Sequence, residues 1–215
     1  MVFTLIAAAS QTARNAMQRE LTATLGTVGA THVRFLFGFP FALVFLLAVA
    51  VVSGAQVPRP SLAFWLWIFA GAAAQVVATA LMLAAMGERS FVVAIAYIKT
   101  EPVQVALFGL LFLGDWLTPP MMAAILIATA GVVVMSYRPN GAAGASWRPT
   151  LLGLGGGAMF AFAAIGYRGA ILSLQLPNFV MAATFALVVG LVLQAVLLSL
   201  YLAVHDPGVL RAIMR

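Results

Sequence analysis

The chain contains no cysteine in its 215 residues, which excludes disulfides, thiolate catalysis and cysteine-ligated zinc. Charge is nearly as scarce, at 7% of residues against about a quarter in an ordinary soluble domain. Lys99 is the sole lysine, and the two histidines, His32 and His205, are far apart in the sequence. The formal net charge of +6 comes from arginines placed mostly at span ends and loops. That pattern suits anionic headgroups, and without a basic run interleaved with aromatics it gives no footing to nucleic acid. The amino terminus lacks a cationic region ahead of Val2 to Ala9, so it reads as a first span and not as a removable signal. Gly153-Leu-Gly-Gly-Gly157 has neither a preceding strand nor a following Lys-Ser/Thr, so it is a helix-packing stretch and not a phosphate loop. No cofactor and no metal are expected.

What is abundant is apolar side chain, 64% of the total, in runs long enough to cross a hydrocarbon core. The expected fold is an all-α polytopic membrane protein, with the lipid bilayer as its first partner. About seven spans are predicted, near Val2–Glu20, Thr27–Ser53, Ser61–Met86, Ser90–Gly114, Thr118–Tyr137, Thr150–Leu174 and Asn178–Val204. Turn chemistry separates them, as at Pro58-Arg59-Pro60, Gly114-Asp115 and Pro177. Residues 1–138 form a five-helix unit, 139–149 a Gly/Ala/Pro-rich linker, and 150–215 a second, shorter unit of two helices. The two units echo each other at an offset of about 149 residues, with Gln18-Arg19 matching Tyr167-Arg168. An odd number of spans per unit reverses its orientation, which predicts inverted repeats and a site between them at the bilayer midplane.

The sharpest local signal is Lys99-Thr-Glu101 followed by Pro102, inside a stretch that otherwise reads as membrane-spanning. A Lys or carboxylate at that depth costs about 2.5 to 3.5 kcal/mol on the insertion scale, and Pro102 removes the helical donor to the Ile98 carbonyl. Such a stretch belongs beside a polar cavity, because irregular backbone in the membrane must meet protein or water. On a straight helix Lys99 and Glu101 would point about 200° apart, so each needs a different partner, Arg14 being the candidate for Glu101. The alternative is that both charges are buried structural pairs.

On the first span, Gln11, Arg14, Asn15 and Gln18 recur at helical spacing, as a cavity wall or as interhelical glue. Gln75 and Thr79 form a second, uncharged stripe read first as structural. Arg34 is either a substrate contact or a snorkelling anchor. His32 reads as interfacial, not as a proton relay. Trp65, Trp67, Trp116, Tyr137 and Trp147 fit an interfacial aromatic belt.

The run from Glu88 to Pro119, with its Lys99-Thr-Glu-Pro102 and Gly114-Asp115, continued by Ala128-Thr-Ala-Gly-Val-Val-Val-Met135, resembles the signature half of EamA-type members of the drug/metabolite transporter superfamily. In that family a proline-bearing fourth helix ends in Gly-Glu and the fifth carries a glycine near its end; here Asp115 replaces the Glu. The resemblance implies ten helices in two such repeats, a multi-pass cell-membrane protein such as one of a bacterial inner membrane, and transport of a small metabolite, often amino-acid export. The polar residues within the spans, Lys99, Glu101, Pro102, Gln11, Arg14, Asn15, Gln18, Arg34, Gln75 and Thr79, are the candidate pathway. The second repeat is matched only to its second helix, so the chain is expected to be an incomplete copy, or else an oligomer such as a homodimer that completes the site in trans. Counting arginines near span ends puts the amino terminus outside, and the resemblance implies the reverse.

Two other classes compete. An integral membrane enzyme of the acyltransferase type would need Ser, His, Asn or Asp clustered at one membrane face, and His32, His205 and Asp115 are isolated in the sequence. A retinal protein would carry its Schiff-base Lys in the last span. A non-transporting membrane subunit is the remaining alternative.

Overall fold

The computed structural model describes residues 2–54, 56–88, 91–98, 100–114, 116, 118–136 and 148–214. Lys99, Asp115, Tyr137, Trp147 and nearly all of the linker lie outside the described residues. The described elements are helical: α1 (Val2–Ser53), α2 (Leu62–Glu88), α3 (Phe91–Ile98), α4 (Glu101–Phe108) continued by a π-helical turn (Gly109–Leu113), α5 (Pro119–Ser136), α6 (Arg148–Ser173), α7 (Phe179–His205) and α8 (Pro207–Ile213).

α1 is two spans in one run of helix. A straight helix of its 52 residues would be about 78 Å long, far beyond the roughly 30 Å hydrocarbon core. The chain turns at Gly26 (φ 67°, ψ 176°), in the left-handed region that glycine adopts without a Cβ clash. Gln18 Nε2 donates to Ala30 O across that turn at 3.3 Å, so the two limbs fold back on each other. The first limb therefore runs past the expected end at Glu20. The Thr22 and Thr24 hydroxyls donate to the helix's own Arg19 and Leu21 carbonyls, which leaves the helix intact.

α2 and α6 approach most closely because small residues line both. Gly71 faces Gly166, and Gly169 seats the Trp67 indole. Trp67 is thus turned into the α2–α6 interface and is not part of an exposed belt, whereas Trp65 and Trp116 are exposed. At one end of the pair, Arg148 Nε lies 3.2 Å from Glu88 Oε1, an open ion pair worth about 0–1 kcal/mol. α7 starts at Asn178, whose Oδ1 accepts from Met181 N, and packs on the second limb of α1 through Ala42, Leu46, Met181 and Val188. α8 folds back so that Val209 and Ile213 rest against Gly29.

Among the described residues four helices are long and apolar enough to cross a membrane, Leu5–Ser53 among them with its two limbs. The outer faces carry large apolar residues such as Phe41, Val52 and Leu126, as lipid-facing surfaces do. The chain is an all-α polytopic membrane protein.

Candidate functional site

The fold-back at Gly26 brings Arg34 of the second limb of α1 to the face of the first limb that carries Gln11, Arg14 and Asn15. All four line one cavity of about 170 Å³, together with Gln75 of α2 and Glu101 of α4. Met82, Ile95, Ile98, Phe160 and Ala164 complete its apolar wall. A second chamber of about 490 Å³ shares Arg14, Arg34 and Gln75 and extends to Tyr167 of α6 and Gln194 of α7.

Each polar group has a local reason for its place. Arg34 Nη1 donates to Thr79 Oγ1 at 3.4 Å, and Thr79 itself donates to Gln75 O at 2.9 Å. The Arg34 guanidinium also lies 5.5 Å from the centre of the Phe35 ring, close enough for a cation–π contribution. Thr79 is fully buried and holds Arg34; Gln75 lines the cavity. Arg14 has no hydrogen-bond or ion-pair partner among the described residues, which leaves its guanidinium available to the space it lines. Glu101 sits in the first turn of α4, where the helix dipole favours a carboxylate.

The fourth span is broken at Thr100. α3 ends at Ile98, Thr100 forms a turn, and α4 begins at Glu101. Thr100 Oγ1 donates to Tyr97 O at 2.8 Å and accepts from Gln104 Nε2 at 3.2 Å. Pro102 falls in the first turn of α4, where its missing N–H is no loss. Opposite the break is Gly157 of α6: a Cβ there would stand 3.1 Å from Thr100 Oγ1 and 3.2 Å from Ile98 O. The glycine stretch of α6 is therefore packing, and at Gly157 it admits the turn at Thr100.

Not every expected pathway residue reaches the cavity. Gln18 is buried and closes the α1 hairpin; Asn15 lines the cavity from a buried position. Pro102 lines a different pocket, with Trp116, Met121 and Arg168. Lys99 is outside the described residues. His32 is fully buried, its Nε2 3.2 Å from Ser199 Oγ of α7. The packing of α7 on this limb of α1 brings that contact about. Tyr167 and Gln194 were not anticipated as site residues. The available signal was the amide of Gln194 alone in the apolar run 179–200, since a polar group inside a span needs a partner.

A helical membrane protein with guanidinium, carboxylate and amide groups around an internal cavity has the makings of a solute carrier. A model of the EamA-like transporter family matches residues 1–137, more than half of the chain, and the protein belongs to that family. Members are transporters of small solutes, not enzymes, so membership makes this chain a multi-pass membrane transporter whose partners are the bilayer and a small-molecule substrate. Comparison with curated proteins and with solved structures returned no match.

Proposed function

We propose that the protein moves a small zwitterionic metabolite, as in amino-acid export, by alternating access at the cavity between α1 and the broken α3–α4 element. One observation carries this reading: Arg14, Arg34 and Glu101 line the same cavity inside a molecule whose residues are 64% hydrophobic. Charges at membrane depth are costly, and groups of both signs around one space match a solute bearing a carboxylate and an ammonium. The break at Thr100 is a natural place for movement, because backbone outside a regular helix changes φ and ψ at small cost.

The moving parts in this proposal are two inverted repeats, residues 1–138 and 150–215. The packing of α1 on α7 supports it. Under the 149-residue offset the contact between His32 and Ser199 corresponds to Met181 and Ala50, and those two residues share one apolar cluster. Two helices that exchange their contacts in this way are arranged as an inverted pair would be.

The test is counterflow of labelled amino acids into vesicles reconstituted with the full chain. Arg34→Met and Glu101→Gln, matched for folded protein, are expected to lower the rate about tenfold or more, as for a lost charge contact. Wild-type rates in both variants would rule the cavity out as the pathway.

A further inference from the structure

The second chamber contains a hydrogen bond whose direction is fixed by chemistry. Gln194 is buried at 1% exposure, and its Nε2 lies 3.3 Å from Ala72 O and 3.0 Å from Tyr167 Oη. A backbone carbonyl is an acceptor only. The atom facing Ala72 O must therefore be the amide nitrogen, because a flipped amide would set two oxygens against each other. That nitrogen has two hydrogens: one goes to Ala72 O and the other to Tyr167 Oη. Tyr167 thus accepts from Gln194, and its own hydroxyl hydrogen is left to be donated. Among the described residues no protein acceptor takes it, and the chamber that Tyr167 lines is also lined by Arg14 and Arg34.

We infer that Tyr167, oriented by Gln194, is a specificity-determining donor that with Arg34 and Arg14 forms a subsite for a substrate oxyanion, a carboxylate in the first instance. The inference rests on reading this cavity as the substrate pathway and adds which end of the solute each wall meets. The two guanidiniums supply donors only, the phenol oxygen that already accepts from Gln194 has its hydrogen left to give, and a planar carboxylate accepts from several donors at once. Gln75 flanks the same chamber, while Glu101 lines the first cavity, on the side where an ammonium would lie. Space for the phenol is secured by Gly190, where a Cβ would stand 2.5 Å from Tyr167 Oη. Any side chain there must displace the ring or the helix, since real Cβ contacts are not that short.

The experiment uses the full chain and three matched probes: leucine, its decarboxylated amine, and its 2-oxo acid, which keeps the carboxylate and lacks the ammonium. Binding of each is measured by calorimetry, and counterflow is measured in parallel. Wild type is expected to hold leucine and the oxo acid more tightly than the amine. Tyr167→Phe keeps the ring and removes the donor, and should weaken both acids about tenfold to a hundredfold while leaving the amine unchanged, the range for a hydrogen bond to a charged group. Gln194→Met keeps the hydroxyl but frees its orientation, and should move the acid-to-amine ratio the same way by less. It carries the test if Tyr167→Phe loses thermal stability. A wild type that prefers the amine or holds none of the acids at millimolar concentration overturns the subsite, as does a Tyr167→Phe variant that shifts acids and amine equally. Tyr167-dependent acid binding without counterflow would retain the subsite and remove the transport reading of the cavity; counterflow indifferent to Tyr167 would do the opposite.

Discussion

Gly166 of α6 lies so near Gly71 of α2 that a Cβ on Gly166 would stand 2.6 Å from the Gly71 Cα. Backbone meets backbone here, so no flexible side chain can move aside. Gly155, on the same helix, has only Leu81 Cδ1 within reach, at 3.7 Å. The two positions separate packing from propensity. Gly155→Ala should be neutral or gain up to about 1 kcal/mol from the lower helical cost of alanine. Gly166→Ala should lose about 1–3 kcal/mol to overpacking. Thermal unfolding in detergent checks the order, and equal midpoints would contradict the close α2–α6 contact.

Thr100 is predicted to hold the break between α3 and α4. Its hydroxyl is both donor to Tyr97 O and acceptor from Gln104 Nε2. Thr100→Val, similar in shape, should cost about 1–2 kcal/mol for the pair of bonds, and Thr100→Ser should restore most of it. Unfolding midpoints of the two variants distinguish this from a purely steric role, in which Val would serve as well as Thr.

Ser199 is predicted to matter for stability through His32. Both belong to the buried seam between α1 and α7, and His32 Nδ1 has no partner among the described residues, so loss of the Nε2 contact strands the ring. Ser199→Ala should cost about 1–2 kcal/mol. Thr12→Ala is the control: that hydroxyl is exposed and bonds its own helix at Ala8 O, so its loss should leave the midpoint within about 0.5 kcal/mol. A control variant as damaged as Ser199→Ala would contradict the account.

How much of this was legible in the sequence follows from the physics of each residue. The Gln11, Arg14, Asn15 stripe could be read directly, because helical spacing places those side chains on one face whatever packs there. Its convergence with Arg34 could not, since that depends on the fold-back at Gly26. The break in the fourth span was expected from Pro102; that it falls at Thr100, with Pro102 inside the next helix, was not, because proline is as comfortable in a first turn as it is disruptive in the middle. The burial of His32 beside Ser199 of α7 was not legible, because it is a long-range contact with no local signature. Tyr167 and Gln194 are ordinary one at a time and acquire a role only when α6 and α7 meet beside Ala72.

The central claim is that the space lined by Gln11, Arg14, Arg34, Gln75 and Glu101 is an aqueous pathway, and thiol labelling tests it most directly because the chain has no cysteine of its own. Gln11→Cys and Gln75→Cys are placed in the cavity wall. Leu5→Cys and Leu126→Cys are placed on outward apolar faces, at positions 71% and 67% exposed. In reconstituted vesicles a small, charged thiol reagent should modify the two cavity positions and leave the two lipid-facing ones intact. Cavity positions as inert as the leucine positions would contradict the account.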